Sequence, residues 1–524
     1  MSFIGIDVGT SGCKAAVVEE KGRIRGMGYG HYPLIFPGPG LVELNPEDIW
    51  RGVVKALNEI APLCRDTTAL AVASIGETAF FFDRFDKSLI NGATYLDGRC
   101  STREADIILD RVSEERLYAL SGMPYDPMYT LPKLVWMQEH MPHILLATEK
   151  IMMAADFIAY RLTGVLRTDP SSASRTMLMD ARRRAWSDEI TKAFDIPLEK
   201  LPEIVATGSL ISKISDRASI ETGLPKGLNV YMGCHDQCAA VLGSGVCTLG
   251  EIMMSQGSTE SINLLIRDEM FSNEMRKARV SVEPFVAKGQ YMASVGQLAY
   301  GASINWAAGL LKGDGEELNQ AVERLDILAE QEQTSAYFLP GHCGYGGNGG
   351  HDGNGGHGGD GGDGGHGGDG GYAKGVFDGI DISMSKGQFY RVVLEGLCFL
   401  SKILFERIKP FRQLPGALRV TGGCANSRVL MQMKSDILEE EICVVSRRQG
   451  VILGLAMICG VAQGVYPDYV AAAEALGVSI ETRYCPGKDS EGYAKRFLRF
   501  QELWQARSCR KGVASKELQE RSRK

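Results

Sequence analysis

The first twenty residues constrain this chain more than any other stretch. Phe3-Ile4-Gly5-Ile6-Asp7-Val8-Gly9-Thr10-Ser11-Gly12-Cys13-Lys14-Ala15-Ala16-Val17-Val18-Glu19 reads as an apolar strand, a tight Gly/Thr/Ser turn and a second apolar strand. Such a turn gathers backbone N–H groups, the hydroxyls of Thr10 and Ser11 and the Lys14 ammonium around one point, which suits a phosphate. Asp7, at the end of the first strand, can face a divalent metal.

The pattern restarts at about Cys247. A strand at 251–255 leads into the turn Gly257-Ser258-Thr259, and a second strand follows at 260–265. This repeated order predicts an internal duplication of one nucleotide-binding half. A third Gly-rich turn, Thr421-Gly422-Gly423-Cys424-Ala425-Asn426-Ser427, follows an apolar strand at 418–420 and opens a helix near Ser427. Each turn alone is also ordinary turn chemistry. Together they suit a nucleotide: two hydroxyl-bearing turns for the terminal phosphates, and the third, with the Asn426 amide, for the nucleoside.

Between these turns strands and helices alternate, which gives an α/β class. Strands are predicted at 3–6, 15–18, 24–29, 70–75 and 80–83, and a helix at 46–57 with Asn45 as its N-cap and Pro46 at its first position. Helical periodicity then runs from Ser101 to Leu162, with Gly164 as a stop, and a buried strand at 230–233 enters a helix at 235–242. At 524 residues the chain is too long for one core. The division expected is 1–245, 246–485 and a helical, polar tail at 486–524, frayed from about Lys511. The net charge of -7 argues against a nucleic-acid partner, and no apolar run is long enough for a membrane span. Met1-Ser2-Phe3 leads directly into a strand, so no signal peptide is expected. The thirteen scattered cysteines then read as free thiols in a reducing cytoplasm.

One segment breaks the alternation. From Gly344 to Gly371 the chain is nearly all Gly, with Asn, His and Asp interspersed. It has no apolar surface with which to offset its ordering entropy, so a flexible surface insertion is expected. A metal-binding loop through His351, His357 and His366 and the neighbouring aspartates is the competing reading.

Asp236 is the candidate catalytic base. It follows a buried strand at a helix start, where a carboxylate can accept a proton from an attacking hydroxyl. A carboxylate that merely complements the helix dipole is the competing explanation. His235 beside it reads as a structural histidine. Glu77 and Thr78, and Asp97 with Arg99, follow strands and suit a polyhydroxylated ligand. Solvated turn charges are the alternative there.

These residues resemble the FGGY carbohydrate kinases, and within them most closely the xylulokinases. The resemblance rests on ordered motifs along nearly the whole chain: Gly5 to Lys14; Asn45-Pro46-Glu47-Asp48-Ile49-Trp50; Asp97-Gly98-Arg99-Cys100; Pro132-Lys133-Leu134-Val135-Trp136; Asp156 with Arg161-Leu162-Thr163-Gly164; Trp186-Ser187-Asp188; Gly233 with Asp236; Ser255 to Thr259; Arg391 with Glu395-Gly396; Gly422-Gly423; and Leu453-Gly454. It implies two actin-like (ribonuclease H-like) ATPase domains with a cleft between them, closing on ATP, Mg²⁺ and a small sugar or polyol. In that frame Asp7, Thr10, Ser11 and Lys14 form the first phosphate loop, with Asp7 on the metal. Gly257, Ser258 and Thr259 form the second, and Gly422, Gly423 and Asn426 the adenosine motif. Asp236 is the base, and Glu77, Thr78 and Asp97 line the sugar pocket. A homodimer is retained as the candidate assembly.

The departures lie at the substrate. Xylulokinases usually carry Gln-Met-His-Gly where this chain has Ile75-Gly76-Glu77-Thr78, and glycerol kinases carry Arg-Glu-Thr, with Gly76 here replacing the Arg. The expected reaction is transfer of the γ-phosphate of ATP to a ketose or polyol, with D-xylulose to D-xylulose 5-phosphate foremost. Glycerol, another polyol, ribulose or a sugar acid are the alternatives within the family. A non-catalytic ATP- or sugar-binding regulator is the alternative outside it.

Overall fold

The structure is a computed structural model that describes residues 1–267, 271–341, 375–446 and 449–522, with side chains to 506. Both readings of the Gly-rich insertion lie outside the described residues.

Two large mixed sheets repeat one plan. The first is built from β1 (Ser2–Val8), β2 (Gly12–Glu19), β3 (Ile24–His31), β4 (Thr67–Ser74), β5 (Leu210–Lys213) and β6 (Asn229–His235), in the order β3-β2-β1-β4-β6-β5. The second is built from β7 (Ile252–Gln256), β8 (Glu260–Arg267), β9 (Ser281–Pro284), β10 (Gln290–Gln297), β11 (Leu418–Thr421), β12 (Ile442–Val445) and β13 (Ile480–Tyr484), in the order β9-β10-β8-β7-β11-β12-β13. In each, an antiparallel hairpin (β1/β2, β7/β8) is extended on one side by an antiparallel strand. On the other side come two parallel strands and an antiparallel edge. The repeated strand, small-residue turn, strand order seen in the sequence is therefore a repeated sheet. The second adds β9 at its edge.

Helix α1 (Pro46–Ile60) forms where the sequence predicts it. The Asn45 side chain accepts from the N–H groups of Glu47 and Asp48, and Pro46 occupies the first turn. Capping of this kind is worth about 1 kcal/mol. Ile49, Trp50, Val53, Ala56, Leu57 and Ile60 form one buried stripe at helical spacing, packed on the first sheet. Several motif residues hold scaffold rather than chemistry. Arg161 donates to Glu47 at 2.7 and 2.9 Å and lies over the Trp50 ring. Arg391, on helix α4 (Lys386–Ile408), donates to Glu395 at 2.8 Å.

The helices α2 (Asp236–Gly243) and α6 (Gly450–Ala462) lie between the two sheets and share one apolar core with both. They cross closely because neither contact point has a side chain. A Cβ on Gly243 would sit 1.8 Å from the Gly450 carbonyl oxygen, and one on Gly454 2.0 Å from that of Ala239. This explains the Leu453-Gly454 motif as packing. It also ties the helix that begins at Asp236 to the second half of the chain.

The structure differs from the sequence reading in two places. The helical run from Ser101 to Leu162 is interrupted by a strand, Lys150–Met153, whose backbone pairs antiparallel with the aromatic strand Ala79–Phe82. The last helix, α7 (Ser490–Ser522), continues past Lys511, where fraying was expected. Among the described residues no helix is long and apolar enough to cross a membrane.

Candidate active site

The predicted residues gather into two groups, one on each sheet. On the first, Asp7 is the next-to-last residue of β1, with Lys14 opposite it on β2. Asp236 opens α2 directly after β6. Burial and the Asp236 carboxylate push the Asp7 carboxyl up to about 7, while Lys14 pulls it down. Burial raises Asp236 as well, and Glu77 adds to it. The two carboxylates thus lie in one electrostatic neighbourhood, and Asp7 is the kind of oxygen donor that suits a hard divalent cation such as Mg²⁺.

On the second sheet, the turn Gly257-Ser258-Thr259 joins β7 to β8, and Ser258 is exposed. Helix α3 (Tyr300–Leu311) points its N-terminus at this turn. The Gly301 and Ala302 N–H groups donate to the Gly257 and Ser258 carbonyls at 3.1 and 3.4 Å. The adenosine-type turn stands beside it, with Gly422 at φ +106 against the Gln256 backbone. Gly423 and Asn426 are exposed. Ser427 caps helix α5 (Arg428–Leu438), as predicted.

Beneath the turn at Gly257 to Thr259 lies an ion pair whose carboxylate is saturated. The Glu260 carboxylate accepts from Lys434, from Gln256 at 2.9 Å, from Gln297 at 2.7 Å and from Ser401 at 2.5 Å. Lys434 also donates to Ser401 and sits 4.5 Å from the centre of the Tyr300 ring.

The pocket around Asp236 is richer than the sequence indicated. Glu77 is buried and ion-paired with Arg175, which donates through Nε at 2.8 Å and also through Nη2. Arg175 lies over the Tyr129 ring, and its Nη1 is 3.8 Å from Glu283 Oε2. A Cβ at position 76 would meet the Arg175 Cγ at 2.5 Å, so Arg175 fills the volume that Gly76 leaves. Lys133 donates to the Glu77 and Ala93 carbonyls, each at 3.2 Å, and burial lowers its ammonium to about 8. The Thr78 hydroxyl and Glu283 Oε2 are buried without a hydrogen-bond partner.

Arg175 and Glu283 were not anticipated. Arg175 ends a run of small residues, Ser171 to Ser174, that carries no strand-end signal. Glu283 did carry one, being a lone acid in the apolar run Val280 to Val286, and a buried acid needs a partner.

Asp97 is a correction. Both of its oxygens are engaged, accepting from Arg99 Nε at 2.6 Å and from the Val42 N–H at 2.7 Å, and its side chain is fully buried. Arg99 in turn holds Glu43. Asp97 therefore braces the loops beside the pocket and presents no oxygen to a sugar.

His235, Cys238 and Glu283 bring ligand-type atoms within 4.8 Å of one another. Those atoms already hydrogen-bond to one another. His235 Nδ1 is 3.0 Å and Cys238 Sγ 3.4 Å from Glu283 Oε1, and burial and Glu283 push the thiol far above its ordinary range. With the Arg175 cation also facing Glu283, the set reads as a hydrogen-bonded cluster.

Known proteins share this architecture. A model of the N-terminal domain of the FGGY family of carbohydrate kinases matches residues 2–243, and a model of its C-terminal domain matches 362–463. The xylulose kinase of Bacillus subtilis (strain 168) is 23% identical over 510 residues, covering 96% of each chain. The glycerol kinase of Thermococcus kodakarensis is 25% identical over 481 residues, covering 90% of each. The crystal structure of xylulose kinase from Rhodospirillum rubrum superposes with a TM-score of 0.83 at 21% identity, covering 97% of this chain and 99% of that one. The two sheets are those of the actin-like ATPase fold that such sugar kinases have. Two models of one family, the N-terminal before the C-terminal, decide the matter: this chain belongs to the FGGY family of carbohydrate kinases.

Proposed function

We propose that the chain transfers the γ-phosphate of ATP to a terminal hydroxyl of an open-chain ketose or polyol, with D-xylulose as the foremost acceptor. The observation that carries this is the position of Asp236. It opens α2 with its side chain 20% exposed, beside Asp7, Glu77 and His235. Asp236 accepts the proton of the substrate hydroxyl as that oxygen attacks the γ-phosphorus in line. Lys14 and the backbone N–H groups of the turns at Thr10–Ser11 and Gly257–Thr259 carry the charge that spreads over the phosphoryl oxygens. Gly422, Gly423 and Asn426 hold the nucleoside. Asp7 holds Mg²⁺, which when bound neutralises phosphate charge. Residues 1–245 thus carry the sugar and the first phosphate loop, and 246–485 the nucleotide side.

A smaller polyol such as glycerol is the second reading. Glu77 and Thr78 match the glycerol-kinase pattern, the Thr78 hydroxyl has no partner, and Arg175 fills the space over Gly76. An ADP-release screen over pentuloses, hexuloses, polyols and sugar acids separates the two. Asp236→Asn is expected to lower kcat by about 10²–10⁴-fold on the best acceptor. Full activity in that variant overturns the assignment of the base.

A further inference from the structure

The geometry points to His235 as the positioning residue for Asp236: one ring nitrogen lies against an Asp236 oxygen as an ion pair, the other is hydrogen-bonded to Glu283 from the second half of the chain, so alignment of the base depends on contact between the halves. This rests on the reading of Asp236 as the base.

His235 is buried between two carboxylates. Its Nε2 lies 3.2 Å from Asp236 Oδ1 and its Nδ1 3.0 Å from Glu283 Oε1. The Nδ1 contact is a hydrogen bond and the Nε2 contact an ion pair, and since neither carboxylate is a donor when ionised, both are attractive together only for the imidazolium. The imidazolium is favoured there. Burial opposes the charge, but Glu283 and Asp236 outweigh it and push the ring up to about 9, with Arg175 acting against them. The backbone of His235 is pinned as well, its N–H donating to the Ser171 hydroxyl at 2.9 Å. With Oδ1 against the ring cation, Oδ2 of Asp236 is the oxygen that faces away from it and would take a substrate proton.

The far end of the bridge belongs to β9, which is seated on the first half by its own contacts. The Val282 N–H donates to the Gly122 carbonyl at 2.8 Å, and the Tyr118 hydroxyl donates to the Val280 carbonyl at 2.7 Å. A displacement of β9 moves Glu283, frees one edge of the ring and loosens the hold on Asp236. Errors of about 1 Å in such a group cost on the order of a hundred-fold in rate.

The test uses the full chain with MgATP and whichever of D-xylulose, D-ribulose, glycerol or D-gluconate is phosphorylated fastest. His235→Ala is expected to lower kcat by about ten- to a hundred-fold, with KM for acceptor and ATP changed by less than about two-fold. Glu283→Gln, nearly isosteric and the variant to rely on if His235→Ala fails to fold, is expected to lower kcat by a smaller factor. The double variant should be no worse than His235→Ala. In the proton NMR spectrum of the substrate-free protein, two downfield imidazole N–H signals are expected to vanish together in His235→Gln. One of them is expected to shift in Glu283→Gln. Unchanged kcat in the single variants, multiplicative losses in the double, or absence of the two signals overturns the positioning role. The outcomes are separable from the reading beneath them: an active Asp236→Asn defeats the base, whereas an inactive Asp236→Asn with indifferent His235 variants defeats only the bridge.

Discussion

Two buried charge clusters sit one on each sheet, and they differ in how completely their charges are satisfied. Under the second phosphate turn, Glu260 accepts from four donors, so its carboxylate has no capacity left for a ligand. Beside Asp236, the cluster Glu77–Arg175–Glu283–His235 leaves Glu283 Oε2 and the Thr78 hydroxyl without hydrogen bonds. An unmet buried polar group is costly, and a bound ligand is one way to complete it. Gln256 Oε1 and the Tyr300 hydroxyl are unpartnered beside Glu260 too, so the contrast lies in the carboxylates: that of Glu260 is saturated and that of Glu283 is not.

That contrast is open to experiment. The largest effect is expected at the saturated pair. Lys434→Met leaves the Glu260 charge buried and should cost about 3–5 kcal/mol in denaturant unfolding. Adding Glu260→Gln should recover most of that loss. If the single variant unfolds like the parent, the pair is not the scaffold described here.

Next comes Glu77→Gln. Arg175 keeps Glu283 as a partner, so the stability loss should be smaller, about 1–2 kcal/mol, while kcat/KM for the best acceptor falls by about a hundred-fold. A stability loss equal to that of Lys434→Met, with kinetics intact, would erase the distinction between the clusters.

The third prediction concerns pH. His235 is held at about 9 in the folded protein against an ordinary 6.5. A raised base stabilises the fold below its unfolded value and loses that contribution as pH rises through the folded one. Unfolding midpoints should therefore decline between pH 6.5 and about 9, and His235→Gln should flatten that decline. A slope that survives the substitution assigns the effect elsewhere.

Smallest is Ser401→Ala, which removes one of the four donors to Glu260. It should cost about 1 kcal/mol and leave kcat and KM as they were. A kinetic change would mean that the scaffold cluster reaches the phosphate turn directly.

Much of this was legible in the residues. The turns at Gly9 to Gly12 and at Gly257 to Thr259 announce themselves because a hairpin turn is local, and the Asn45–Pro46 cap likewise concerns adjacent residues. Asp236 was legible as a strand-end acid. Asp97 was misread because a strand-end carboxylate looks the same whether it faces a ligand or an internal arginine. Arg99, two residues on, takes it.

The sequence by itself determined the repeated strand, turn, strand halves, the Gly-rich turns between the strands and the family. Each rests on local periodicity and short ordered motifs. Only the tertiary structure decided what surrounds Asp236. Arg175 meets Glu77 across 98 residues of chain, and Glu283 meets His235 across 48. The physical reason is that buried charges choose partners by position in space. The packing of β9 on Gly122 and of α2 on α6 sets that position, and no local pattern encodes it.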